Sequence, residues 1–574
     1  MLKLVGSAIA VVFLAIVALW FYLSYQPAPD KRAFINGQVL SMDAGNSIAE
    51  AVLIDQGRIV AVGNNASIQA LIDDATMVTD LAGKTLMPGI VDAHSHFPGT
   101  GLVALVADLN SPPIHDVVDM QQLLLRMRHQ LDQTPAGKWV IGIGYDDTAL
   151  TEMRHPTRAE LDQISSERPI FLWHISGHLG VVNSAALQLL GYDVDTPNPE
   201  GGTIERDPAS GELNGLLKET ALFHVQALAM DFGLFDAIKI IQHASARYAR
   251  MGVTTSQSGG VDTRMAQGLA LAARLHLVPF RQVVFGLSDS LGQKLLNGSF
   301  DAKKLHSDYF KLAAVKLITD GSIQGYTGQL SRPYHSAYHG NAQHRGEAVI
   351  SPDKLASLVE TYHAAGLQLA IHANGDAAID SVIAAFRAAQ ARHPRSDPRL
   401  ILVHAQMARD DQLDAMLELG ITPSFFSAHT YYWGDRHRDI FMGPERAARM
   451  SPTRSALDRG LRFSVHLDSP VVPMNPMLLV WSTVNRVSSS GAVIGEAQRI
   501  EPMQALRAVT IDAAWQVFEE DNRGSLEPGK WADMIVLSGD PLTNPQAINR
   551  IEVLETIVGG RSIYRNELAA LAQR

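Results

Sequence analysis

His94 and His96 stand two residues apart where an apolar run from Leu86 ends in Asp92-Ala93-His94-Ser95-His96, ahead of Phe97-Pro98-Gly99. Side chains alternate along a strand, so histidines at i and i+2 leave it in the same direction. Two imidazoles side by side at a strand end are half of a metal site. His372 and His404 occupy the same context, each the first polar residue after an apolar run, Leu369–Ile371 and Ile401–Val403. Asp468 closes another such run, Phe463–Leu467, ahead of Ser469-Pro470. A carboxylate there can orient a water and carry its proton beside a divalent ion. A turn-forming Asp-Ser-Pro is the plain alternative.

Lys316 lies inside Leu312–Ile318, where a charged ammonium is costly to bury. A neutral amine could react with CO2 to give a carbamate able to bridge two metals. Otherwise the ammonium reaches the pocket or pairs with an acid such as Asp320. Weaker candidates follow. Glu219 could reach the metal or the leaving amine, or simply open a helix. His174 and His178 could contact substrate or serve as structural hydrogen-bonding groups. Phe425, Phe426, His429, Tyr431, Tyr432 and Trp433 read as an apolar substrate wall, with packing as the alternative. His335, His339 and His344 sit in a Gly/Ser/Tyr loop and read as solvated rather than as a second metal site.

Composition narrows the chemistry. The 574 residues include no cysteine, so disulfides, thiolate zinc and a cysteine nucleophile are excluded. The net charge of −11, with no basic block in the folded part, argues against nucleic acid. A small-molecule substrate remains, and the oligomeric state is open, a homodimer included. Leu4–Tyr25 is apolar, uncharged and about 20 residues long, the length of a bilayer span. It reads as a signal anchor (residues 1–25) holding the body outside the cytoplasm, periplasmic or extracellular, with a cleaved signal peptide and secretion as the alternative.

The elements that must position these residues alternate between strand-like and helical patterns, the rhythm of a parallel α/β sheet or barrel. Strands are expected over Thr85–Ala93, Thr254–Gln257, Leu312–Ile318, Leu367–Ile371, Leu400–Val403, Thr422–Phe425 and Arg462–Leu467. Helices are expected over Pro352–Ala365, Ala377–Ala391 and Asp410–Leu419. Residues 102–250 exceed one βα unit and read as an insertion beside the pocket. It has strands Trp139–Gly144 and Ile170–His174, helices Met120–Gln130 and Phe235–Met251, and a turn-rich segment, Asp195–Gly215. Short strands at both termini suggest a composite β-sandwich, residues 33–84 with 525–574, around a barrel over 85–524.

LMPGIVDAHSH, the strand lysine, the two strand-end histidines and LDSPV resemble the amidohydrolase superfamily. His372–Ala378, Lys316–Ser322, and Ser176-Gly177-His178 leading to Asn183–Leu187 resemble its amidohydrolase-3 branch, the YtcJ-like proteins and N-substituted formamide deformylases. The resemblance covers about residues 33–565. It implies a metal-dependent (β/α)8 TIM barrel with a β-sandwich from both termini. It places His94, His96, Lys316, His372, His404 and Asp468 at ligand and base positions. Zinc is the expected ion: one, or two if Lys316 is a carbamate. The implied reaction is hydrolysis of a non-peptide C–N bond (amide, formamide, N-acyl or cyclic amide), with Asp468 as base and acid. Glu219, His178, His429 and Trp433 are the substrate-side candidates. Leu467 departs from the pattern, where a small or polar residue is expected. The alternatives are ester or lactone hydrolysis at the same site, or a membrane-tethered regulatory protein with a vestigial site.

Overall fold

The computed structural model of the chain describes residues 30–566, so the Leu4–Tyr25 segment and its anchor reading lie outside the described residues. Among the described residues no single helix is long and apolar enough to cross a membrane. The run expected as one strand over Thr85–Ala93 is two. Thr85–Pro88 pairs antiparallel with Met534–Leu537 and parallel with Gln38–Leu40. Ile90–Val91 (β1) joins a different sheet. The break falls at Gly89, where a Cβ would lie 2.1 Å from the Thr254 side chain. Only glycine lets the chain pass so close to its neighbour.

The sheet that β1 enters has eight strands. The others are β2 (Val253–Val261), β3 (Arg281–Leu287), β4 (Phe310–Ile318), β5 (Gln368–Ala373), β6 (Leu400–His404), β7 (Ile421–Phe425) and β8 (Ser464–Val465). They lie side by side in sequence order, and every pairing is parallel. Just beyond β1 and β8 the two edges meet. His96 N–H donates to the Ser469 carbonyl at 2.7 Å, and Asp468 N–H to the His94 carbonyl at 3.1 Å. β3 was not among the expected strands, because Arg281-Gln282 opens it and disguises the apolar run. The expected Arg462–Leu467 shrinks to the two residues of β8, leaving the segment that carries Asp468 as a turn.

Alternation along the strands separates two cores. Val283, Phe285, Ala314, Ala370, Ile401 and Val403 pack together on one face of the sheet. Val284, Val315, Leu317, Leu369, Ile371, Leu400 and Leu402 belong to the larger cluster that includes helix residues. Helices Pro352–Ala364, Asp376–Arg392 and Asp410–Leu419 follow β4, β5 and β6. The first starts cleanly because Ser351 Oγ accepts the Lys354 amide and Pro352 occupies the first turn.

Between β1 and β2 a separate six-stranded sheet is built from residues 107–219. Its strands include Val140–Tyr145, Ile170–His174 and Leu179–Val182. The segment expected to be turn-rich, Asp195–Gly215, also contributes strands, Gly202–Arg206 and Leu213–Glu219, paired antiparallel across the Asp207–Gly211 turn. At the other pole, a four-stranded sheet is built from residues 31–80, and a six-stranded sheet combines strands from both ends of the described chain. Phe34, Val39, Val52, Leu86, Met534 and Ile557 share their core.

Candidate active site

β5, β6 and the ends of β1 and β8 deliver their polar residues to one rim. His94, His404 and Asp468 each offer a ligand atom within 4.8 Å of the others. Asp468 Oδ1 lies 3.1 Å from His96 Nε2 and 3.6 Å from His94 Nε2, and Oδ2 lies 3.8 Å from His404 Nε2. The His372 and His404 rings are 4.6 Å apart. Lys316 Nζ is 3.2 Å from His94 Nε2. It reaches the group from below, since Ile318 and not Lys316 is level with His372 across the β4–β5 ladder.

Two backbone distortions aim these groups. Alternation from Ile401 and Val403 would send His404 to the outer face. A φ of +74° at His404 instead places its ring against His94 and His372. Asp468 has a φ of +56°. Non-glycine residues rarely hold such angles unless the surrounding structure imposes them.

The electrostatics favour neutral imidazoles around an anion. Burial holds His94 and His404 well below the ordinary histidine value, and lowers His372 as well. Burial pushes Asp468 up, but the imidazoles of His96, His404 and His94 hold it well below the usual carboxylate range. Burial brings Lys316 down to about 7, so a neutral amine is accessible near physiological pH. His96 is the open member, with 44% of its side chain exposed against 1% for His94.

A family model for amidohydrolases matches residues 77–564. The chain belongs to the amidohydrolase family. It is 31% identical over 536 residues to N-substituted formamide deformylase of Arthrobacter pascens, covering 92% of this chain and 97% of that protein. It is 26% identical over 555 residues to the putative amidohydrolase YtcJ of Bacillus subtilis, covering 93% and 99%. These place it in the amidohydrolase-3 branch. An uncharacterised metal-dependent hydrolase from Pyrococcus horikoshii superposes with a TM-score of 0.72 over 90% of this chain and 99% of its own, at 24% identity, which speaks to fold. The protein is a metal-dependent amidohydrolase.

The residues of this amidohydrolase fit a divalent ion. Asp468 Oδ1 and His94 Nδ1 are buried without a hydrogen bond. A carboxylate faces three Nε2 atoms, a set of lone-pair donors that a cation would satisfy. His372 Nδ1, also buried without a hydrogen bond, faces a carboxylate. It lies 3.2 Å from Asp320 Oδ1, and that carboxylate accepts the amides of Gln329, Asn374 and Gly375. Asp320 therefore serves His372 and is not the partner of Lys316.

His178 and Glu219 come from the inserted sheet. The His178 ring is 5.1 Å from that of His372, and its Nδ1 is 2.8 Å from Glu219 Oε2. Burial opposes charge on His178, but Glu219 raises its pKa above the ordinary value. Glu219 is fully buried at φ +50°, its Oε1 unpartnered, and a Cβ on Gly321 would come within 2.1 Å of that oxygen. Helix Thr220–Ala229 starts after it, but the carboxylate does not cap that helix.

The remaining candidates are each held by other contacts. Trp433 Nε1 donates to Asp146 Oδ2 at 3.0 Å, and Trp433 lines a 260 Å³ surface cavity with Pro112, Tyr432 and Arg436. His429 packs on Phe426, centroids 4.0 Å apart. His174 is bound to Asp147. His335, His339 and His344 diverge: His335 borders a second surface cavity, His339 is exposed, and His344 Nε2 meets the Tyr326 carbonyl. The sequence reading missed His466, whose Nε2 is 3.0 Å from His404 Nδ1. Its position two residues before Asp468 carried the same i, i+2 signal that identified His94 and His96.

Proposed function

We propose that this amidohydrolase cleaves the C–N bond of a small non-peptide amide, such as a formamide or N-acyl amine, at a rim closed into a (β/α)8 barrel. The observation that carries the reading is the convergence of His94, His96, His372, His404 and Asp468 around buried atoms that lack hydrogen bonds. The two backbone bridges between the edges of the sheet support closure. His94, His96, His404 and Asp468 would hold the ion, with His372 and Lys316 beside them. A bound divalent ion, zinc by the donor set, supplies Lewis-acid polarisation of the carbonyl and a more acidic water. Lys316 as a carbamate would make room for a second ion; as an amine it leaves one.

Asp468 takes the proton from the attacking water and returns it to the departing nitrogen, for which its depressed pKa keeps it ionised at the start. His96, open to solvent, marks the side from which substrate enters. His178 and Glu219 stand where the inserted sheet faces that substrate. The formamide deformylase relative supports a formyl or similarly small acyl group. We also read Leu4–Tyr25 as an anchor that tethers the body outside the cytoplasmic membrane.

The test is Asp468→Asn. Turnover of an N-substituted formamide should fall by on the order of 10²–10⁴ while zinc content, read by elemental analysis, falls far less. Full activity in Asp468→Asn would remove Asp468 as the base. A wild-type enzyme that cleaves esters or lactones but no amide would overturn the C–N assignment.

A further inference from the structure

We propose that Gly259 is a positioning residue for the metal centre, because the space left by its missing side chain is the slot that holds the His94 ring. This rests on the metal reading above.

Gly259 and Gly260 are adjacent in β2, where its register against β3 shifts between Ser258 and Val261. Glycine inside a strand marks a bulge or a close approach. The two positions differ in what they face. A Cβ on Gly259 would lie 2.0 Å from His94 Cε1, 2.7 Å from Nδ1 and 3.0 Å from Nε2. A Cβ on Gly260 would lie 3.3 Å from Leu287 Cδ2, the end of a half-buried side chain. Neither glycine has a positive φ, so backbone conformation requires glycine at neither position.

The backbone at Gly259 has little room to yield. Its N–H donates at 2.7 Å to the carbonyl of Ser95, the residue after His94. Ser95 N–H donates to Gln257 Oε1 at 2.9 Å, and Ser258 Oγ to the Phe97 carbonyl at 2.8 Å. β2 is thus laced to the segment that carries the ligands, and the imidazole is the group that must move. Non-bonded carbons approach to about 3.5 Å, so a Cβ at this position would drive His94 Cε1 back by about 1.5 Å. A metal site accepts ligand distances only within about 0.2 Å. His94 Nδ1 has no hydrogen bond to return the ring to its place. Phe285, near-parallel to the ring at 6.4 Å, and Lys316 Nζ, 3.2 Å from Nε2, border it as well. His372 faces a carboxylate and His404 faces His466, whereas His94 is oriented by shape.

The experiment compares Gly259→Ala with Gly260→Ala in the full chain. Each protein is stripped of metal, titrated with Zn²⁺ against a chromophoric chelator, and separately unfolded in denaturant without metal. Gly259→Ala should weaken Zn²⁺ binding about 10–100-fold, the scale of losing a ligand's support, while Gly260→Ala stays within about threefold of wild type. A need for glycine in the fold itself would show instead in the unfolding of the stripped protein. His94→Ala and the double variant His94→Ala/Gly259→Ala isolate that case, even where Gly259→Ala alone fails to fold. With the imidazole gone the slot is empty, so the double variant should unfold at the same denaturant concentration as His94→Ala. Wild-type Zn²⁺ affinity in Gly259→Ala, an equal loss in Gly260→Ala, or a double variant less stable than His94→Ala overturns the slot while the metal reading stands. A wild-type chain that binds no divalent ion overturns the metal reading and the slot together.

Discussion

Among the described residues, two clusters of acids and imidazoles could each hold an ion, and their residue types are nearly the same. One is His94, His404 and Asp468 at the sheet rim; the other is Asp146, Asp147 and His174 in the inserted sheet. They differ in what is left over. In the second cluster the imidazole and both acids find donors or acceptors within the protein. His174 Nε2 is 3.0 Å from Asp147 Oδ1, and its Nδ1 meets Ser176. Asp146 accepts from Thr148, Trp433 and Arg436. The first cluster keeps Asp468 Oδ1 and His94 Nδ1 without a hydrogen bond. Buried polar groups are normally paired, so the cluster with unpaired atoms is the one built for a ligand. The satisfied one, with Arg436 against its carboxylate, is a clamp joining the inserted sheet to the helix after β7.

The largest expected effect that tests this contrast is His94→Ala against Asp147→Ala. His94→Ala should lose bound metal and nearly all activity, on the order of 10³-fold. Asp147→Ala should keep metal per folded molecule but lose about 3 kcal/mol of stability in denaturant titrations, because it strands His155 and His174. Metal loss in Asp147→Ala would break the comparison.

Acid should separate the two clusters next. Ligand imidazoles must be unprotonated to hold a metal, and burial keeps His94, His372 and His404 below the ordinary histidine value, so zinc should be retained until the pH has fallen below the usual histidine range. Burial pushes Asp147 up, yet His155 and His174 hold it well below its ordinary value. A carboxyl depressed by folding stabilises fully above its unfolded pKa of about 4, and that contribution is lost as pH falls further. Asp147→Ala should remove the acid-dependent change in near-UV dichroism that comes from the clamp and leave the pH profile of zinc release, read by metal analysis, unchanged. The smallest effect is Trp433→Phe, which removes one hydrogen bond to Asp146 and should cost about 1 kcal/mol without changing kcat/KM. A large activity loss there would restore Trp433 to the substrate wall.

The rim was legible because metal ligands are polar residues that interrupt apolar strands at fixed spacing, as His94, His96, His372, His404 and Asp468 do. The residues that brace them were harder to see. Asp320 and His466 meet their partners across 50 or more residues, and of the two only His466, two residues before Asp468, left a local trace. β3 was hidden because its opening Arg281 is buried against Asp533 of the terminal sheets, 252 residues on, a pairing that makes a charge tolerable inside a strand. Trp433 could not be assigned from sequence, because an aromatic run looks the same whether it lines a pocket or anchors a clamp, and here Trp433 both borders a cavity and bonds Asp146. The split at Gly89 was hard to read because Leu86-Met87 and Ile90-Val91 are apolar on both sides of Pro88-Gly89, and only the partners of the two halves divide them.

That split also governs when the enzyme can exist during synthesis. Thr85–Pro88, six residues before the first ligand, is paired with Met534–Leu537. A ribosome that has made the first 500 residues has made every metal ligand but not the strand against which the segment leading to His94 is braced. The centre is thus finished only after Met534–Leu537 has been made, through contacts of long sequence separation that close slowly. A chain released early carries all the ligands without the frame that holds them in register.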